Sequence, residues 1–172
     1  DAGIAAIGKA LSCEEAAGAL RADIKGDLEA VRAAVSGLPR PKVLLITMRQ
    51  DHDLNTLYTA NASSFVSELV ECAGGDNVYA DSGNTYLEAS KETIVMKAPD
   101  VIIEFHAGEA LSPEEQAQYV NDWQQLPMLP AVKNGRVYLV LESHALRPGP
   151  RVAEIARILA RLLHPDAELP AR

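Results

Sequence analysis

The 172-residue sequence has no run of 18 or more apolar side chains, so nothing in it reads as a helix long enough to span a bilayer. It lacks a Walker A loop, a GxGxxG turn and a GxSxG elbow, the local signatures of phosphate loops, dinucleotide folds and serine hydrolases. Cysteine is scarce: Cys13 and Cys72 form no CxxC pair and no Cys/His cluster, so no thiolate metal site is indicated. Each falls on a helical pattern among apolar neighbours, which suits a small buried thiol; a Cys13–Cys72 disulfide is the other reading. Basic residues are in deficit, 16 against 24 acidic, for a net charge of −8. That balance argues against nucleic acid or an anionic membrane surface as main partner, because both require a basic footprint. No nucleophile–base pair and no carboxylate pair is legible at short spacing, so nothing calls for an enzyme.

What is present is an ordinary soluble composition, 48% apolar and 23% charged, in a chain of one-domain length. A domain of this size buries about 70% of its unfolded surface and needs no staples. The chain opens at Asp1 inside a helical pattern without an initiator Met, the expectation for a processed or truncated chain. A missing export signal therefore carries no information. Ile4, Ile7 and Leu11 form a short helical stripe. "SCEE" then reads as a capping box, Ser12 with Glu15 three residues on. Leu20, Ile24, Leu28, Val31 and Val35 continue at spacings of four and three, and Gly37 and Pro39 stop the pattern. The result is a helix of about 24 residues, roughly 36 Å long, with one apolar stripe, suited to bracing a larger structure.

Strands and helices then alternate. "KVLLIT" (42–47), "NVYA" (77–80), "VIIEF" (101–105) and "GRVYLVL" (135–141) read as strands, and 61–73, 90–97, 113–125 and 148–163 as helices. Val152, Ile155, Ala156, Leu159, Leu162 and Leu163 make the core face of the last helix. Continuous apolar strands between helices predict an α/β fold, a three-layer Rossmann-like lobe with a mainly parallel central sheet. The glycines of "AGGDN" (73–77) follow a helix, as a C-cap does, and Trp123 reads as packing a helix on the sheet.

Residues 48–60, 81–89, 105–112 and 142–150 read as loops beyond strand C-termini, where open α/β sheets hold ligands. His52, His106 and His144 each follow a different strand there. Arg49 and Arg147 share the edge and suit ligand carboxylates or phosphates. Tyr58 and Tyr86 suit stacking on a large ring or shielding the loop base. "DHD" (51–53) reads as a solvated loop rather than a metal cluster, since adjacent residues rarely converge on one ion. In "RPGPR" (147–151) the prolines set a helix start and leave Arg147 spare.

The sequence "AGGDNVYADS", then "SKETIVMKAPDVII", then a Trp followed by "LPAVKNGRVYLV", then "RPGPRVAEIARILARLLHP" resembles the C-terminal lobe of ABC-importer substrate-binding proteins. The similarity is to the helical-backbone class, which takes up cobalamin, ferric siderophores and haem. It spans nearly the whole chain; each motif alone is loose, and four in order are more specific. In that family two Rossmann-like lobes are joined by one rigid helix, and ligand sits between them.

The resemblance implies that residues 1–12 end a missing N-terminal lobe, 13–37 are the interlobe spine helix and 42–172 are the substrate-binding lobe. It implies a transported iron or cobalt chelate, no intrinsic cofactor and no metal site of the protein's own. It also implies an extracytoplasmic or periplasmic location, with or without a lipid anchor, and contact with the membrane only through an ABC permease. One exposed glutamate on each lobe of that family pairs with permease arginines, and the matching position here is Glu92. Two other readings rest on less. A flavodoxin-like or Rossmann-like nucleotide-binding enzyme or regulatory domain predicts a phosphate site at a helix N-terminus near 48–61. An isolated lobe with an interaction role and no ligand is the third. Glu92 also has a plain role, as an acid in the first turn of a helix capped by Ser90. A capping-box acid would stand at position 93, however, where Thr93 is.

Overall fold

The computed structural model describes residues 2–50 and 52–170. Asp51, the first residue of the "DHD" run, lies outside the described residues, as do Asp1, Ala171 and Arg172 at the ends of the expected segments. Helix α1 (Ala2–Ala10) turns into helix α2 (Glu14–Ala34), and a side chain at Gly8 would collide with Ala17 of α2, so the two helices pack at backbone distance. The expected capping box is not formed. Ser12 sits in the turn at φ +53°, and Cys13, which makes no side-chain cap, occupies the N-cap of α2. The close α1–α2 turn uses Ser12 as a corner, so its hydroxyl does not cap the helix. At 21 residues α2 is about 32 Å long. Its stripe is graded: Val31 is fully buried, Leu28 is half-buried and Leu20 is 39% exposed.

Strands β1 (Lys42–Ile46), β4 (Asp76–Asn77), β6 (Val101–Phe105) and β7 (Val137–Val140) form a parallel sheet in the order β4-β1-β6-β7. The even and odd positions of β1 and β6 face opposite layers. Val43, Leu45, Val101, Ile103 and Phe105 pack on α2, α3 (Phe65–Cys72) and α7 (Val152–Leu163). Leu44, Ile46 and Ile102 pack on Ile94 of α4 (Lys91–Lys97), on Trp123 after α5 (Pro113–Asp122) and on the short α6 (Pro130–Lys133). These are the three layers that continuous apolar strands imply, since each strand residue faces a covered side and a buried Val, Leu or Ile contributes about 1.5–3 kcal/mol. Gly74, at φ +82°, closes α3 with its nearest potential Cβ neighbour, His164 Nε2, at 2.6 Å, a place only glycine fills.

Some boundaries contract. Of "NVYA" only Asn77 remains in β4, with Asp76; the last strand is 137–140, and α7 starts at Val152 because 148–151 turns the chain first. The larger correction concerns 48–60 and 81–89. Both fold into a second, antiparallel sheet, β2 (Met48–Arg49), β3 (Leu57–Ala60) and β5 (Tyr86–Ala89), with Tyr58 opposite Met48 and Glu88. Leu57 and Ala89 cover the core, which gives this polar stretch an anchor. No disulfide joins the cysteines: Cys72 is buried and Cys13 is exposed.

Candidate functional site

The chain leaves β1 to pair β4 on one side and returns to place β6 on the other, so the strand order reverses between β1 and β6. Such a switch point opens a crevice beyond the strand C-termini. Arg49 lies three residues past β1, and Glu104 and His106 stand at the end of β6. Glu104 faces the layer of Trp123 and is completely buried in an otherwise apolar strand. A buried carboxylate is tolerated only when paired and hydrogen-bonded, and Glu104 is both. Trp123 Nε1 donates to its Oε1. His106 Nε2 lies 3.0 Å and Arg49 Nε 3.3 Å from its Oε2.

Arg49 enters the cluster from β2 with 1% of its side chain exposed. Its Nη2 donates to Asp122 Oδ2 at 2.9 Å and to the Tyr119 carbonyl at 3.2 Å, and its guanidinium stacks 4.7 Å from the Tyr119 ring centre. Nε is close enough to Glu104 for ion pairing but out of line for a hydrogen bond, and Nη1 has no hydrogen-bond partner among the described residues. His52, at φ +54°, puts Nδ1 3.0 Å from Asp122 Oδ2. His106 presents Nε2 to Glu104 and Nδ1 to Glu109, each at 3.0 Å, an arrangement that suits the doubly protonated ring. Burial alone pushes its pKa down, but the hydrogen bonds and charges of Glu104 and Glu109 outweigh that, and the pKa is raised.

Three of the residues expected on this edge, Arg49, His52 and His106, thus meet around the buried Tyr119 ring. The other four lie on neighbouring elements. Tyr58 and the 53%-exposed Tyr86 share the outer face of the second sheet with Met48. His144 approaches Glu154 of α7 at 3.2 Å, which ties the segment after β7 to the first turn of that helix. Arg147 is exposed on the same segment. Sequence reasoning missed Glu104, Glu109, Tyr119 and Asp122. The legible signal was the lone carboxylate inside "VIIEF". A cavity of about 250 Å³ opens here, lined by Met48, Arg49, Glu104, His106, Glu109 and Tyr119. No group of three or more His, Cys, Asp or Glu side chains among the described residues is arranged to hold a metal ion.

Glu92 lies on a different surface, in the first turn of α4. Ser90 caps that helix by accepting from the Thr93 N–H at 3.2 Å, and the two hydroxyls meet at 2.9 Å. Thr93 thus takes the position a capping-box acid would fill. Glu92 is exposed, and hydrogen bonds from its own backbone N–H and the Ser90 hydroxyl hold its pKa below the usual carboxylate value.

A three-layer lobe with a cavity at its switch point is common to many functions. The sequence, however, matches the family described as periplasmic binding protein over residues 3–142. The chain belongs to the periplasmic binding protein family. It is 29% identical over 164 residues to a cobalamin-binding protein of Halobacterium salinarum, covering 93% of this chain and 42% of the relative. To an uncharacterised ABC transporter substrate-binding lipoprotein of Bacillus subtilis it is 28% identical over 162 residues, covering 93% and 48%. This periplasmic binding protein chain therefore spans less than half the length of these two relatives. Its fold is similar to that of an ABC transporter substrate-binding protein from Listeria monocytogenes, with a TM-score of 0.83 and 22% identity, covering 96% of this chain and 63% of the other.

Proposed function

We propose that this chain is the C-terminal lobe of the substrate-binding component of an ABC importer, which holds a metal chelate against a second lobe and delivers it to a membrane permease. The observation that carries the reading is the shape of the switch-point site in a chain of this family. At about 250 Å³ it is smaller than the 300–1,000 Å³ of typical small-molecule sites, so it serves as the floor of a cleft. The cobalamin-binding relative suggests a corrinoid as ligand, and the family resemblance of the sequence motifs widens the class to cobalt or iron chelates such as a ferric siderophore or haem.

In this reading the cleft side carries Arg49, His52, Tyr58, Tyr86, His106, His144 and Arg147. Helix α2 is the interlobe spine and 1–12 the end of the preceding lobe. Residue Glu92 meets arginines of the permease, and the protein works outside the cytoplasm as a carrier rather than an enzyme. The nucleotide-binding alternative loses its site. Residues 48–61 carry β2 and β3, and the next helix begins at Phe65 with its first turn already capped by the Ser64 side chain. The test is calorimetric titration of the full-length protein with cobinamide, haem and ferric siderophores. Micromolar or tighter binding of one of them is expected, and binding of none would sink the proposal.

A further inference from the structure

Both ring nitrogens of His106 face carboxylates, Nε2 toward Glu104 and Nδ1 toward Glu109, each at 3.0 Å. A neutral imidazole has one N–H and one lone pair, so only the imidazolium donates to both. The two carboxylates differ in what else holds them. The Glu104 side chain is 1% exposed; Trp123 Nε1 donates to its Oε1, and Arg49 Nε lies 3.3 Å from the Oε2 that His106 meets. The Glu109 side chain is 50% exposed, at the rim of the cavity. Its backbone is fixed, since the Glu109 N–H donates to the His106 carbonyl and the Gly108 N–H to the Leu141 carbonyl, both at 3.1 Å. Only its side chain is therefore free to swing. The other groups around the ring come from neighbouring elements. Tyr119 of α5 stacks on it with ring centres 4.3 Å apart. Arg49 of β2 sits between Glu104 and Asp122, and His52 also reaches Asp122, at 3.0 Å. The segment after β7 adds Leu146 to the cavity wall.

We infer that His106 is a proton-operated latch on the rim of this cavity: the imidazolium holds the Glu109 side chain against the ring, and the neutral imidazole releases it into solvent while keeping its hold on Glu104. When the proton leaves, one nitrogen turns a lone pair toward a carboxylate oxygen 3.0 Å away. At Nε2 that repulsion has no relief, because Trp123 and Arg49 pin Glu104 and Tyr119 backs the ring. At Nδ1 it is relieved by rotation of Glu109 into water, where a half-exposed carboxylate gives up little. Nδ1 is thus the nitrogen that loses its proton. Burial pushes the His106 pKa down, but the two carboxylates outweigh that and the net shift is upward, so release falls above the ordinary value of 6.5. The latch is shut below the folded pKa and opens as pH rises through it. Opening leaves an unmatched negative charge on a mobile side chain at the mouth of the site, so the rim that a ligand meets differs between acid and alkali.

The test is NMR of the full-length protein with isotope-labelled histidine and glutamate, titrated between about pH 5.5 and 8.5; it requires no ligand. His106 is expected to end the titration with its remaining proton on Nε2, and the side-chain carboxyl carbon of Glu109 is expected to shift with the same midpoint. Glu109→Gln, a change at a half-exposed side chain that the fold does not depend on, should lower the His106 midpoint and leave the Nε2–H tautomer in place. In His106→Asn the Glu109 carboxyl signal should stay constant over the same range. A proton retained on Nδ1, a Glu109 signal that ignores the His106 midpoint, or a midpoint unmoved in Glu109→Gln would each overturn the latch. The chelate-receptor reading stands or falls separately, on the ligand titration above.

Discussion

Both ends of the parallel sheet place arginine and histidine beside a cavity. At the N-terminal end a cavity of about 520 Å³ is lined by Arg40, Asp100, Arg136 and His164, among others. Its basic side chains reach backbone carbonyls, and Arg40 Nε also donates to the exposed Asp76 Oδ1 at 2.7 Å. Arg40 Nη2 donates to the Gly75 carbonyl at 2.6 Å, and Arg136 Nη2 to the Leu163 carbonyl at 2.8 Å. His164 Nε2 lies 3.3 Å from the Gly74 carbonyl. These carbonyls close α3 and α7, where helix ends leave acceptors unsatisfied. At the C-terminal end the cavity is about half that volume, but the cations face buried carboxylates and a donor is left over. Volume alone would choose neither, since a groove of about 900 Å³ along α1, α2 and Pro148 is larger than both. The destination of each polar atom separates the two ends.

That contrast can be broken most strongly at Glu104. Glu104→Ala leaves Arg49 buried with one partner fewer and removes the acceptor of Trp123 Nε1. Loss of one member of a buried ion pair costs about 3–5 kcal/mol, read as a fall in the urea midpoint; a loss below about 1 kcal/mol would show that the cluster is not an integrated unit. At the opposite end Arg136→Ala should cost about 1 kcal/mol, the worth of a hydrogen bond to a helix-terminal carbonyl. Ligand affinity of the full-length protein should be unchanged, and a changed Kd would erase the distinction between the two ends.

The third effect is smaller and depends on pH. His106 has a folded pKa raised above 6.5. Its contribution is fully present below the unfolded pKa and is lost as pH rises through the folded one. Unfolding midpoints compared between about pH 5.5 and 8.5 should show wild type losing its advantage over His106→Asn toward alkaline pH. A pH-independent difference between the two would contradict the double carboxylate contact.

The smallest effect on the fold belongs to Glu92. Its lowered pKa means that any stabilisation it provides is present above the usual carboxylate value of 4.5 and fades as pH falls. Glu92→Ala should lower the unfolding midpoint at neutral pH only slightly while impairing transport by the full-length protein. Normal uptake by that variant would return Glu92 to the role of a helix-end charge.

Legibility followed the range of the interaction. Strand β6 was bounded correctly at Val101 and Phe105, and the cap of α4 at Ser90, because apolar continuity and capping are read within a few residues. The second sheet was not legible. Leu57 and Ala89 pair across 32 positions between polar flanks, and only that pairing reveals the strands. The Ser12 capping box had the right residues at the right spacing, but the turn imposed by Gly8 against Ala17 took Ser12 for a corner. At the C-terminal edge of the parallel sheet, the sequence marked Arg49, His52 and His106 one at a time and overlooked the carboxylates that hold them.

By itself the sequence determined the layered lobe, since a strand apolar at every position has to be covered on both faces wherever it is placed. Only the tertiary structure decided what Arg49 pairs with. Its partners Glu104 and Asp122 lie 55 and 73 residues further along the chain, and ion pairing depends on distance in space and on burial, neither of which residue order encodes.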